Sequence, residues 1–136
     1  MTGIRWGGVC MDCFDAEELA NFYAGLLGWE IAHRDMPENR RGGAGWIALR
    51  DPDGRVGLSF QAEEWYTPPV WPEAPDEQTK MIHFEMSVDD VEAAVARVLA
   101  LGRREASHQP ADRDQTSIRI MLDPAGHPFC LGGPGE

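Results

Sequence analysis

One pattern is written twice in this chain, and it constrains the fold more than any other feature. A short apolar strand runs into an acidic helix start, an amphipathic helix and a Leu-Gly stop. Later come a strand, an Asp-Pro-x-Gly turn and another strand. The first copy reads Gly8-Val9-Cys10-Met11-Asp12-Cys13-Phe14-Asp15, continues through a helix to Leu27-Gly28, and reaches Asp51-Pro52-Asp53-Gly54. The second reads His83-Phe84-Glu85-Met86-Ser87-Val88-Asp89-Asp90, then a helix to Leu101-Gly102, then Asp123-Pro124-Ala125-Gly126. Two such modules in one small chain predict packing about a pseudo-twofold axis with a cleft between them.

The local signals fill in the elements. Residues 4–14 read as a strand with Val9, Met11 and Cys13 on one face and Gly8, Cys10 and Asp12 on the other. Asp15 and Glu18 spell a capping box, Leu19, Phe22, Tyr23 and Leu26 form a helical stripe, and Gly28 stops the helix. Strands are expected near 29–35, 44–50 and 55–61, with a mobile polar loop over Pro37–Gly43 and a turn at Asp51–Gly54. The second module opens with a strand over 81–88. Its helix starts at Asp89 or Asp90, Asp89 and Glu92 repeat the capping box, and the inner stripe is Val91, Val95, Val98 and Leu99. Short strands follow near 103–107, 115–122 and 127–132. The fold class is α+β: two βαβββ modules, each helix covering one face of its sheet and the other face left open.

At 136 residues the chain holds a single domain, with module one over 4–62, module two over 80–133 and a linker over 63–79. Prolines 68, 69, 72 and 75 interrupt that linker, while Trp65, Tyr66, Val70 and Trp71 are too apolar to be left in water, so it is expected to lie across an apolar surface. A formal net charge of −11 argues against nucleic acid or an anionic membrane as partner. No signal-like or membrane-spanning run is present, and the sequence reads as soluble and cytoplasmic. Cys10, Cys13 and Cys130 cannot all pair. Cys10 and Cys13 sit on a strand rather than at a helix N-terminus, and they read as buried reduced thiols.

These motifs, in this order and spacing over about residues 4–132, resemble the vicinal oxygen chelate superfamily, which holds glyoxalase I, extradiol dioxygenases and the bleomycin- and fosfomycin-resistance proteins. Asp15 to Tyr23 with Leu27-Gly28-Trp29, the His83–Asp90 strand and Asp123-Pro124-Ala125-Gly126-His127-Pro128-Phe129-Cys130 carry the resemblance. Phe60-Gln61 and Gly28-Trp29-Glu30 give it a glyoxalase-like flavour. The resemblance implies a cup-shaped sheet and, in metal-dependent members, ligands from the first and last strand of each module. Those positions fall on His83 and Cys130 in module two. In module one they fall on Gly8 and near Leu58 or Phe60, with Gln61 a neighbour. A divalent ion needs about three protein ligands, and this set offers one or two.

The open faces supply the candidate site. His83 is a base or donor, and Glu85, on the same face, orients it or meets a cationic group; these two are the catalytic candidates if the protein is an enzyme. Asp12, Trp46, Phe60, Gln61, His83 and Cys130 are the ligand-binding candidates, with Trp46 and Phe60 as an aromatic wall and Gln61 fixing orientation. Arg34, Arg41, Arg50 and Arg119 are candidate partners of Asp12. His33, His108 and His127 read as solvent residues. Gly42-Gly43-Ala44-Gly45 does not open a helix and is no phosphate loop. The expected function is binding of a small, partly apolar organic molecule in the inter-module cleft without a catalytic metal or other cofactor, by a homodimer. The alternative is a metal-dependent lyase, isomerase or dioxygenase with an altered ligand set, His83, Glu85, Asp12 and Cys130, around a divalent ion at His83.

Overall fold

The computed structural model describes residues 3–35 and 45–135. The loop expected over Pro37–Gly43, with Arg41, lies outside them. The chain divides into two compact units, Met1–Tyr66 and Thr67–Glu136, so the expected linker is shared between them.

In the first unit the elements are β1 (Val9–Cys13), α1 (Ala16–Leu27), β2 (Glu30–Asp35), β3 (Trp46–Arg50) and β4 (Val56–Ala62). The sheet order is β1-β4-β3-β2, with β1 parallel to β4 and the other pairs antiparallel. The Asp15 carboxylate accepts the Glu18 N–H (3.1 Å) and so caps α1. Gly28, at φ 69°, ends it, and the Trp29 N–H reaches back to the Ala24 carbonyl (3.2 Å). Ala16, Leu19, Ala20, Phe22 and Tyr23 are buried against the sheet. Tyr23 stacks on Phe60 at 5.6 Å, which fixes the helix-facing side as Met11, Cys13, Ile47, Leu49, Leu58, Phe60 and Ala62.

The first strand is shorter than the expected 4–14 because Gly8 leaves extended geometry at φ 120°. Beside it, β4 carries a bulge. Leu49 pairs with Leu58 but Arg50 pairs with Val56, so Gly57 is an extra residue.

In the second unit the elements are β5 (Glu85–Ser87), α2 (Val91–Ala100), β6 (Arg104–Glu105), β7 (Ile118–Leu122) and β8 (Pro128–Gly132), in the order β5-β8-β7-β6. Again the first strand is parallel to the last. It begins well after residue 81, because Met81 adopts φ 56° and the Ile82 N–H turns tightly onto the Lys80 carbonyl (2.6 Å). The helix cap is Asp90, which accepts the Ala93 N–H at 3.0 Å, so the box expected between Asp89 and Glu92 does not form. Val91, Val95 and Val98 are the buried stripe; Leu99 is half exposed, one helical step away from that face. The helix closes in a Schellman motif: the Arg103 N–H bonds the Val98 carbonyl and the Gly102 N–H the Leu99 carbonyl.

Both Asp-Pro-x-Gly segments make the same turn. Gly54 and Gly126 take φ 83° and 86°, and Asp51 and Asp123 each use a carboxylate oxygen to hold the backbone N–H four residues on, at Arg55 and His127. Among the described residues no helix is long and apolar enough to cross a membrane.

Candidate functional site

Each sheet has one face under its helix and one face turned away from it. On the first unit's open face, strand register lines up Asp12, Gln61, Trp46 and Asp35 in one row and Cys10, Ser59, Ala48 and His33 in the next. Trp46 is half-buried and lies 5.7 Å from the His33 ring. Gln61 donates to Glu63 (2.7 Å). The row offers a flat aromatic surface and an amide with a carboxylate at each end, enough to orient a small planar molecule. Asp12 is exposed. Arg34 is paired with Glu17 and Arg50 donates to the Gly54 carbonyl.

Phe60 does not belong to this face. It is fully buried beneath α1 and stacked on Tyr23, so it forms no wall with Trp46. The sequence carried a signal for this: Phe60 and Gln61 are consecutive on a strand and must point to opposite faces. Cys10 corrects another expectation. It is exposed, because it alternates away from the helix on an edge strand, while Cys13 is buried.

The second unit's open face carries Glu85, Cys130 and Ile120 across β5, β8 and β7. His83 precedes the strand, its Nε2 3.5 Å from the Glu85 Oε1. Cys130, Ile120 and Ala106 form a buried cluster against which Trp71, Ile118 and Leu122 pack. Burial pushes the Cys130 thiol above its ordinary pKa, the Glu85 carboxylate adds to the rise, and Lys80 opposes it. Cys130 is therefore a protonated member of an apolar cluster.

Trp71 is the linker residue that covers this face. Its Nε1 donates to the His108 carbonyl (3.1 Å) and the Lys80 ammonium lies 4.2 Å from its ring centroid. The Val70 N–H bonds the Gln78 carbonyl, closing the segment into a loop. Trp65, by contrast, stays exposed.

Arg119 lies buried on the helix side, holding Glu92, Glu105 and the Gln115 carbonyl. Burial works against its charge, but the hydrogen bonds to Glu105 and Glu92 outweigh it and raise its pKa. It is a structural cation of β7 that holds α2 and β6, not the expected partner of Asp12.

His127 overturns the solvent reading. Its Nδ1 lies 2.8 Å from a carboxylate oxygen of Asp123, a fully buried side chain that also accepts the Ala125 and His127 N–H groups. The repeat held the clue, since His127 follows its turn as Arg55 follows the first.

Register decides which residues stand at the positions where the resemblance implied metal ligands. Cys130 sits opposite Glu85, and its counterpart is Ser59 opposite Cys10, not Leu58 or Phe60, because the Gly57 bulge shifts β4 by one residue. Ser59 is directed to the Val9 carbonyl (3.5 Å). At Gly8, the counterpart of His83, an added Cβ would lie 2.9 Å from the Gly57 carbonyl oxygen. A ligand side chain cannot occupy that position on this backbone. Among the described residues no group of three or more His, Cys, Asp or Glu is gathered as a metal site. The donor set of metal-dependent superfamily members does not fit these residues.

Residues 8–132 match the family model of the glyoxalase-like domain, and the chain belongs to that family, within the vicinal oxygen chelate superfamily. Solved structures agree on the fold. A possible glyoxalase from Bacillus cereus is 15% identical over 97% of this chain and 99% of its own, with a TM-score of 0.61. TnmS3, an antibiotic binding protein from Streptomyces sp. CB03234, is 18% identical over 99% of both chains, with a TM-score of 0.55. A mutant of FosX, a fosfomycin resistance protein from Listeria monocytogenes complexed with Mn(II) and a dihydroxypropylphosphonic acid, is 12% identical over 97% of this chain and 92% of its own, at 0.65. No curated protein sequence matches this one.

Proposed function

We propose that this protein binds a small, partly apolar organic molecule on the open sheet face of its first unit, without a catalytic metal. The observation that carries the reading is the Gly8 position, where the Gly57 carbonyl fills the space a ligand side chain would need. With that donor gone, the first unit's open face is left with the recognition chemistry of Trp46, Gln61 and Asp12. A role in sequestering the ligand, or presenting it to another component, suits such a face, and the likeness to an antibiotic binding protein of the same fold supports it. The acting form in this proposal is a cytoplasmic homodimer.

Thermal shift against a panel of planar, partly polar organic compounds tests the reading. A saturable rise in Tm, with affinity reduced about tenfold in Trp46→Ala, is expected, since a lost aromatic contact is worth on the order of 1.4 kcal/mol. No rise with any compound contradicts it.

The second reading, a metal-dependent lyase, isomerase or dioxygenase, draws on one observation, His83 beside Glu85 at 3.5 Å. It requires a stoichiometric divalent ion that His83→Ala releases.

A further inference from the structure

The second unit holds a half-open cavity of about 540 Å3 whose lining includes none of Asp12, Gln61, Trp46, His83, Glu85 or Cys130. Its lining includes Pro68, Pro69 and Trp71 from the linker, Arg103 just past α2, Arg104 at the start of β6, and Leu122 of β7. The sequence builds it in three steps. The two prolines hold the linker out of any ladder. The Asp123–Gly126 turn packs onto that linker so closely that a Cβ on Gly126 would lie 3.1 Å from the Pro68 Cβ. The Schellman motif of α2 then fixes where Arg103 leaves the helix and leads into Arg104 of β6, and its own backbone N–H groups satisfy the Val98 and Leu99 carbonyls.

The electrostatics of this cavity run against those of the chain. The molecule carries a formal net charge of −11, yet two consecutive arginines, Arg103 and Arg104, are among the lining residues. The single carboxylate in the lining, Asp123, is buried, and its oxygens are committed to two backbone N–H groups and the His127 ring. The lining therefore combines the apolar surfaces of proline, indole and leucine with two arginines. A guanidinium fork matches a carboxylate in shape as well as charge. The volume falls in the range of small-molecule sites, roughly 300–1,000 Å3.

We infer that this cavity is a second binding site, for a small organic anion with a flat apolar body and a terminal carboxylate. The body lies along Pro68, Pro69, Trp71 and Leu122, and the carboxylate meets Arg103 and Arg104. The inference stands apart from the reading of the first unit's open face, since it uses none of Trp46, Gln61 or Asp12 and another ligand chemistry.

Titration of the full 15N-labelled chain with 2-naphthoate, and separately with its neutral amide, tests it by backbone amide shifts. The expected result is saturable movement of Gly102, Arg104, Ala125 and Gly126, with the amide at least tenfold weaker. Arg104→Ala, an exposed position, weakens the acid about tenfold, and Arg104→Lys restores part of the loss. Absence of saturable shifts at those amides, or equal affinity for acid and amide, overturns the inference. So do shifts confined to Asp12, Trp46 and Gln61, which place the acid on the open face instead. If Arg104→Ala loses its dispersed spectrum, the acid-against-amide comparison on the unaltered chain decides alone.

Discussion

Gly8 and Gly57 lie so close that a Cβ on Gly8 would stand 2.9 Å from the Gly57 carbonyl oxygen. The two glycines are one device. The bulge at Gly57 adds a residue to β4, its carbonyl crowds Gly8 just before β1, and Gly8 takes φ 120°, which glycine adopts readily. The same crowding leaves the first module without a side chain where the second has His83.

Replacing Gly8 tests this coupling. Gly8→Ala meets both backbone strain and a clash, and is expected to cost about 2–4 kcal/mol in urea unfolding. Gly54→Ala, with positive φ but open space around it, is expected to cost about 1 kcal/mol. Equal costs would show that the Gly57 carbonyl does not crowd Gly8.

The two Asp-Pro-x-Gly turns differ in burial. Asp123 is fully buried and Asp51 partly exposed, although both hold the same turn. Asp123→Ala strands two backbone N–H groups and the His127 ring, at about 2–4 kcal/mol, whereas water repairs Asp51→Ala to about 1 kcal/mol. Denaturation of the two variants side by side checks the difference.

The cysteines should react in a fixed order. Iodoacetamide at pH 8 is expected to label Cys10 within minutes while Cys13 and Cys130 resist, as followed by mass spectrometry. The raised Cys130 pKa also has a stability consequence. The folded state holds that thiol proton more tightly than the unfolded one, so its contribution is intact below the unfolded thiol's value of about 8.5 and is lost as pH climbs past it. A Cys130→Ala variant should lose less stability than the unaltered chain between pH 8 and 10.

Trp71 is predicted to be the cover of the Cys130 cluster. Trp71→Ala should cost about 1–3 kcal/mol, scaled down from a full core truncation because the ring is half exposed, and should bring Cys130 labelling closer to that of Cys10. Unchanged labelling would mean that other side chains do the covering.

Local signals carried most of the fold. Asp15, the Leu19–Phe22–Tyr23 stripe, Gly28 and the two turns are each settled by a few consecutive residues, and the helices and hairpins stand where those residues put them. What the pattern could not carry is a single-residue insertion in pairing. Gly57 reads as an ordinary strand glycine, yet it makes Ser59 rather than Leu58 or Phe60 the counterpart of Cys130. Tertiary choices were likewise invisible. Nothing near Arg119 announces that it is held by Glu92 and Glu105, and nothing near Trp71 announces which surface it covers.

The proposal that this glyoxalase-like chain works without a catalytic metal is tested by the metal content of untagged protein, read by elemental mass spectrometry. The content is measured before and after chelation and reloading with zinc, manganese, iron and nickel. Metal far below one ion per chain after reloading is expected. A tightly held ion near one per chain, lost in His83→Ala, would contradict the proposal.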